Sequence, residues 1–250
     1  MFETGLVSVS FRGHTVEEVI RESAKAGLTY IEWGSDVHAP YDDPAALERI
    51  VSLQNQYGIT CCSYGTYFYL GVTPLDELPG YIRAAKLLGT TILRLWAGKK
   101  SPDNCSAEEK AQLFAQCRQA AKIAEEAGVT LCLECHRNTF TETKEAAMVL
   151  MKAVDSPNFA MYWQPNPSDT VEENIAYARY LNDYIYHIHA FHIKGATKQP
   201  LSEATEEWQA YLKAFSGDHK ILLEFMPDNR IESLQQESDA LRQIIAGVSR

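Results

Sequence analysis

Along this chain, short runs of apolar residues alternate with longer stretches in which apolar positions return every three or four residues. The short runs fall at residues 6–11, 28–33, 59–63, 91–96, 130–134, 160–164, 185–189 and 221–224, and their length and β-branched or aromatic content predict strands. The intervening stretches predict helices. The first is capped by Thr15, carries Glu17 and Glu18 in its opening turn and stops at Gly27. Others are expected over 44–57, 75–88, 107–127, 143–154, 171–181 and 205–215, and a helix over 231–245 closes the chain. Gly58, Gly89 and Gly128 end three of them. The aromatic stretch Tyr64-Gly65-Thr66-Tyr67-Phe68-Tyr69 is expected to be a loop.

Eight strand–helix units of about thirty residues each predict an α/β fold, a (β/α)8 TIM barrel formed by residues 1–250 as one domain. A doubly wound open sheet is the competing architecture. It is disfavoured by the regular count of eight and by the lack of a Gly-rich phosphate fingerprint after the first strand. In the barrel, the carboxyl ends of the strands are where an active site belongs.

Four of those ends turn polar in a concerted way. The run Thr130-Leu131-Cys132-Leu133-Glu134 ends in a carboxylate, 160–164 in the amide of Gln164, 185–189 in the imidazole of His189, and 221–224 in the carboxylate of Glu224. A carboxylate at the end of a buried strand requires a metal ion or a cationic side chain to meet it. One such Glu is commonly half of a structural ion pair, but two with a His between them favour a functional cluster.

Composition narrows the partners. A net charge of −10 disfavours a nucleic-acid backbone as ligand. No run is long enough to span a membrane, and the amino-terminal residues lack a basic stretch followed by an apolar one. Of the six cysteines, all but Cys105 lie in apolar segments, which predicts reduced thiols and a cytoplasmic location. Cys132 and Cys135 form a C-x-x-C spacing, but on a strand their sulfurs face opposite sides.

Further candidates flank the cluster. His136 lies on the Glu134 face of its strand and is a candidate substrate contact. Arg94 and Trp96 share a face of the fourth strand; a buried arginine either contacts substrate or, the favoured reading, pairs with a strand-end carboxylate such as Glu32. His38 and Tyr64 are candidate sugar contacts from loops on the same end of the barrel, whereas Tyr67 and Tyr69 are better explained by loop packing. His187 is expected to be a core histidine one layer below His189, and His192 and Lys194 are candidates to hold a phosphate.

The sequence resembles the sugar phosphate isomerase/epimerase superfamily, the xylose isomerase-like TIM barrels that also include relatives of endonuclease IV. The resemblance covers nearly the whole chain and rests on Leu133-Glu134, the run 158–164, His187-Ile188-His189 and Leu223-Glu224-Phe225. It implies one divalent metal ion per chain (Mn, Zn, Co or Mg) held by Glu134, Gln164, His189 and Glu224, with Glu134 and Glu224 also acting as an acid/base pair through an enediolate. The substrate implied is a small sugar, sugar phosphate or polyol, and a homo-oligomer is in keeping with family habit. The departure is Gln164, where the family usually has Asp, with Pro167 where it has His. Other readings within the resemblance are an inosose-type dehydratase, an endonuclease IV-like hydrolase and a non-catalytic carbohydrate-binding barrel. Seven histidines, Gln164 and Pro167 leave the three-zinc hydrolase short of ligands.

Overall fold

The computed structural model describes residues 1–248. Strands β1 (Phe2–Val7), β2 (Tyr30–Gly34), β3 (Thr60–Leu70), β4 (Ile92–Ala97), β5 (Thr130–Glu134), β6 (Phe159–Trp163) and β7 (Ile185–Ala190) join β10 (His219–Leu223) in a closed parallel barrel of order β1-β10-β7-β6-β5-β4-β3-β2. Helices α1 (Val16–Lys25), α2 (Pro44–Tyr57), α3 (Leu78–Leu87), α4 (Ala107–Ala127), α5 (Lys144–Val154), α6 (Val171–Tyr180), α7 (Thr205–Leu212) and α8 (Leu234–Ala246) follow the barrel strands in turn. The expected (β/α)8 TIM barrel is therefore the observed fold.

Helix starts are set locally. Thr15, Ser106 and Thr170 each accept a hydrogen bond from the backbone of a glutamate three residues on, whose carboxylate reaches back to the cap amide. Gly58 and Gly128 end α2 and α4 in the left-handed conformation, which costs glycine no Cβ clash.

Strand alternation sorts the side chains into two layers. Outward residues such as Leu131, Leu133, Met161, Ile188, Ile221 and Leu223 join the helices in the main apolar core. Inward residues Val7, Cys62, Ile92, Cys132, Ala160, Tyr162 and Leu222 fill the barrel centre. Cys132 lies in the inner set and Cys135 in the outer one, and all six cysteines are free. His187 is buried inward with its ring edge on Tyr162.

Three features differ from the sequence expectation. The first strand ends at Val7, and Ser8–Phe11, expected to be its second half, is a single helical turn whose apolar residues Val9 and Phe11 are still buried. The aromatic stretch 64–69 is not a loop but the continuation of β3, with its register against β4 slipping between Gly65 and Tyr69. The slip turns Tyr67 and Tyr69 toward the barrel mouth while Tyr64, Phe68 and Leu70 pack into the core. After β7, a short hairpin of β8 (Ile193–Lys194) and β9 (Thr197–Lys198) stands over the same end. Its two-residue strands are too short to leave a periodic signal.

Candidate metal centre at the strand ends

Glu134 is the last residue of β5, Gln164 and Glu224 directly follow β6 and β10, and His189 lies in β7. Backbone contacts fix these ends. The Thr141 hydroxyl donates to the Glu134 carbonyl at 2.7 Å, and the Glu224 amide donates to the Ala190 carbonyl at 2.9 Å. Immediately afterwards Phe225 adopts a left-handed φ of 61°, and its amide donates to the Ser10 hydroxyl at 3.1 Å. A left-handed backbone at a bulky residue costs on the order of 1–3 kcal/mol and persists where the surroundings enforce it.

Potential donor atoms of Glu134, His189 and Glu224 all lie within 4.8 Å of one another. His189 is the hub. Its Nδ1 is 3.7 Å from Glu134 Oε1, 3.6 Å from Glu224 Oε2 and 3.2 Å from Gln164 Oε1, while Nε2 faces Glu32 Oε2 at 3.7 Å. Nε2 has no hydrogen-bond partner within the usual range, although it is wholly buried.

Beneath this group lies a second cluster. Arg94 donates through Nε to Glu32 at 2.7 Å and through Nη1 to Glu134, so one guanidinium joins β2 to β5 across the barrel. Ser63 donates to the other Glu32 oxygen at 2.7 Å. Gly65 makes room for the pair, because a Cβ there would lie 2.8 Å from both Arg94 Nη2 and Glu32 Oε1. Arg94 thus has Glu32 as the internal partner expected from sequence, and Glu134 as a second.

These contacts divide the carboxylates. Burial works against the charge on Glu32 and Glu134, but Arg94, aided by His189, overcomes it and holds both below the ordinary carboxylate range. Glu224 has no arginine contact, and burial, with Glu134 nearby, raises it despite the pull of His189. Burial also opposes charge on His189, yet Glu224, Glu134 and Glu32 raise it. With three carboxylates around one imidazole and one guanidinium, the group binds a positive charge readily.

The donors fit a divalent cation. One imidazole nitrogen and two carboxylates lie within 4.8 Å of one another, and the Gln164 amide oxygen is 3.2 Å from that imidazole, a mixed N/O set suited to Mn, Zn, Co or Mg. With Nδ1 as ligand, the remaining Nε2–H would point at the Glu32 carboxylate, the arrangement that orients a metal-bound histidine.

Above the centre opens a cavity of about 420 Å³ lined by Glu134, Glu224, Gln164, Tyr67, Tyr69, Trp96 and His136, among others. Trp96 stacks on Tyr69 at 4.8 Å and meets Tyr67 edge-on, and its indole N–H is buried without a partner. His136 lines the same cavity, with Nδ1 2.7 Å from the Arg137 carbonyl.

Two sequence candidates lie elsewhere. Tyr64 is fully buried on the helix side of β3 and donates to the Ala39 carbonyl, so it does not line the cavity. His38 is also outside it, with its ring nitrogens 3.1 Å from the Ser8 hydroxyl and 3.1 Å from the His14 carbonyl. Tyr67 and Tyr69 take the positions expected of those two. The inward polar residue on β3 that sequence analysis passed over is Ser63, which carries no signal beyond alternation with its neighbours.

The ends of this eight-stranded parallel barrel thus gather two glutamates, a histidine and a glutamine beside one cavity. The sequence profile of the xylose isomerase-like TIM barrel family matches residues 20–244, and the chain belongs to that family. It is 26% identical over 208 residues to the 3-dehydroshikimate dehydratase of Bacillus anthracis, spanning 76% of this chain and 72% of that protein. Among solved structures, it resembles the probable 3-DHS dehydratase AsbF from Bacillus anthracis with a TM-score of 0.78 at 19% identity, covering 97% of this chain and 99% of that one. It also resembles D-psicose 3-epimerase from Clostridium cellulolyticum H10 with a TM-score of 0.72 at 15% identity, covering 99% and 100% respectively. The buried Glu134–His189–Glu224 group is consistent with a divalent metal site typical of the family. No described helix is long and apolar enough to cross a membrane.

Proposed function

We propose that this protein is a divalent-metal-dependent isomerase or epimerase that removes a proton from the carbon next to a carbonyl in a small polyhydroxylated substrate. The supporting observation is the convergence of Glu134, His189 and Glu224, with Gln164, at the floor of a cavity large enough for such a molecule. A bound divalent ion would supply Lewis-acid polarisation of the substrate carbonyl.

The glutamates have unequal roles. Glu134 has one oxygen committed to Arg94, which holds it ionised and immobile. Glu224 faces the cavity, and among the described residues no side chain donates a hydrogen bond to it. Glu224 is therefore the base that takes the carbon-bound proton, leaving the electron pair in an enediolate. Protonation at the same carbon from the opposite face gives epimerisation, for which Glu134, ionised beside Arg94, must first take a proton from solvent and then deliver it; return of the proton from Glu224 to the neighbouring carbon, with the hydroxyl proton passing between the two oxygens, gives isomerisation. His136, which lines the cavity, orients the hydroxyls, and the rings of Trp96 and Tyr69 pack against the carbon skeleton.

A dehydratase is the second reading, favoured by the sequence relative named above. The same proton abstraction forms a C=C bond while the C–O bond at the next carbon breaks, and the hydroxyl leaves, protonated, as water. That outcome needs only one carboxylate base, as the ion pair at Glu134 would leave.

Incubation in D2O of the manganese-loaded protein with D-psicose, L-ribulose and 3-dehydroshikimate separates these outcomes. Deuterium incorporation without loss of water supports the isomerase or epimerase; formation of an unsaturated product supports the dehydratase. Retention of either activity in Glu224→Gln would overturn the assignment of the base.

A further inference from the structure

The cavity mouth carries positive charge that the metal centre does not need. Within the floor, the negative charges of Glu32, Glu134 and Glu224 would be met by Arg94 and a divalent ion, leaving the group neutral with His189 uncharged. Arg12 at the rim is paired with Asp36 and Tyr67. Lys99, Arg137 and Lys198 are not matched in this way. Lys99 Nζ sits 4.3 Å over the Tyr69 ring, Arg137 reaches only the Ser168 hydroxyl at 3.5 Å, and Lys198 donates to the Asn229 side-chain carbonyl at 2.5 Å. Among the described residues, none of the three forms an ion pair with a carboxylate. In a chain of net charge −10, Lys99 lines the cavity, Lys198 lines the lobe beside it and Arg137 lines both, so the three offset the negative field locally.

Arg137 holds the central position. It lines both the cavity above the carboxylates and an adjoining, mainly apolar lobe of about 290 Å³ bordered by Phe191, Ile193, Phe225 and Lys198. Its backbone is held firmly. The Thr139 hydroxyl donates to the His136 carbonyl at 2.7 Å, and the Asn138 amide donates to Glu142 at 3.1 Å. Tyr177 donates to the Thr141 carbonyl at 2.7 Å. Glu142, the acid nearest in this turn, is engaged by that amide and by the Ser101 hydroxyl. The turn thus presents an exposed guanidinium with unfilled donors at the junction of the two lobes. Planar, bidentate recognition of a carboxylate or phosphate is what such a group does best.

We propose that the substrate of this centre is an anion, whose carboxylate or phosphate group is held by Arg137, with Lys99 on the cavity side and Lys198 on the side of the adjoining lobe, while its polyhydroxylated carbonyl end reaches the strand-end glutamates. This deepens the reading above and rests on it for the reacting end alone. The adjoining apolar lobe takes the carbon skeleton between the two polar ends.

The test is calorimetric binding to the manganese-loaded protein at low and high salt, with D-psicose as the neutral probe and with its terminal phosphate ester and 3-dehydroshikimate as the two anionic ones. At least one anion should bind about tenfold or more tightly than D-psicose. Added salt should weaken that preference, and Arg137→Gln should reduce it to about twofold or less. Preference for the phosphate alone or the carboxylate alone identifies which anion the mouth takes. Equal binding of neutral and charged probes, no binding of either anion, or a preference that persists in both Arg137→Gln and Lys99→Gln overturns the proposal; persistence would mean that the anion sits on the metal ion instead. Deuterium exchange on the same samples separates the two readings. Exchange into D-psicose without any anion preference sinks the anion site and keeps the enzyme. Arg137-dependent anion binding without exchange or turnover of any probe keeps the anion site and sinks the proposed chemistry.

Discussion

Arg94 and Glu134 face each other across β4 and β5 as a buried ion pair, and the same guanidinium holds Glu32 on its other edge. Both flanking carboxylates point at His189. The pair therefore lies between the barrel interior and the site, stabilising the charge on one proposed metal ligand and on the group that orients another.

Removing that guanidinium leaves two buried carboxylates without their counter-ion. Arg94→Met should destabilise the metal-free protein by about 3–5 kcal/mol, measured by urea unfolding. Adding Glu32→Gln to the same variant should recover part of the loss, because one of the stranded charges is then gone. Equal stability of wild type and Arg94→Met would mean that the ion pair does not support the fold.

Gln164 sets the charge at the proposed metal centre. Replacement by the isosteric Glu adds a carboxylate beside His189, so metal affinity should rise by about tenfold while the metal-free protein loses stability. Elemental analysis with thermal unfolding, before and after chelation, reads both effects. Saturating manganese at about a hundred times its Kd should stabilise the wild type by about 2.7 kcal/mol. Uptake should weaken as pH falls, since protons compete for the same imidazole and carboxylates. A Gln164→Glu variant with unchanged metal affinity would place the amide outside the coordination sphere.

Gly65 has an ordinary backbone conformation, so its substitution tests space alone. A methyl carbon added at this position would meet both partners of the Glu32–Arg94 pair at 2.8 Å. Gly65→Ala should cost about 1–3 kcal/mol through the shift this forces and lower metal content by moving Glu134 with Arg94. A substitution that leaves the unfolding midpoint and metal content unchanged would show that the pair can move aside freely.

His38 provides a pH signature separate from the centre. Burial lowers its pKa from the ordinary 6.5, against the opposing hydrogen bond to the His14 carbonyl. Its folded pKa is depressed, so below the ordinary value the unfolded chain binds the more protons and stability falls with pH. The slope from this group is at most about 1.4 kcal/mol per pH unit. Unfolding midpoints compared at about pH 7.5 and about pH 5 should fall less in His38→Gln than in wild type. An identical fall in both would show that His38 titrates alike in the folded and unfolded chain.

The period of the apolar positions was enough to count the barrel strands and to place most of them, but it set the first one four residues too late, because the apolar run 6–11 continues past the strand Phe2–Val7 into the helical turn Ser8–Phe11. Glu134, His189 and Glu224 were legible because a charged or polar side chain closing a buried run contradicts its surroundings. Gln164 carries less of that contrast, yet its amide sits 3.2 Å from His189. Residues 64–69 defeated the pattern because a register slip breaks the alternation that distinguishes the two faces of a strand. Tyr64 and Tyr67 are indistinguishable by residue type, and only the slip determines that one enters the core and the other the cavity. The Glu32–Arg94 pair could be anticipated, but the additional contact with Glu134 depends on how far a guanidinium reaches across the barrel. Nothing local in the sequence encodes that.

The proposed metal donors come from β5, β6, β7 and β10, whereas Glu32, Ser63 and Arg94, which support them, come from β2, β3 and β4. The ring closes where β1 meets β10 and where β4 meets β5. Neither half of the barrel contains a complete centre, so a carboxy-terminal fragment expressed alone would hold the donors without the guanidinium that keeps Glu134 charged. A metal held at this centre would thus report, through its affinity, whether the two halves had met. Recombining half-barrels from different relatives would have to match Arg94 on one side to Glu134 on the other, which makes this single contact a compatibility code between the halves.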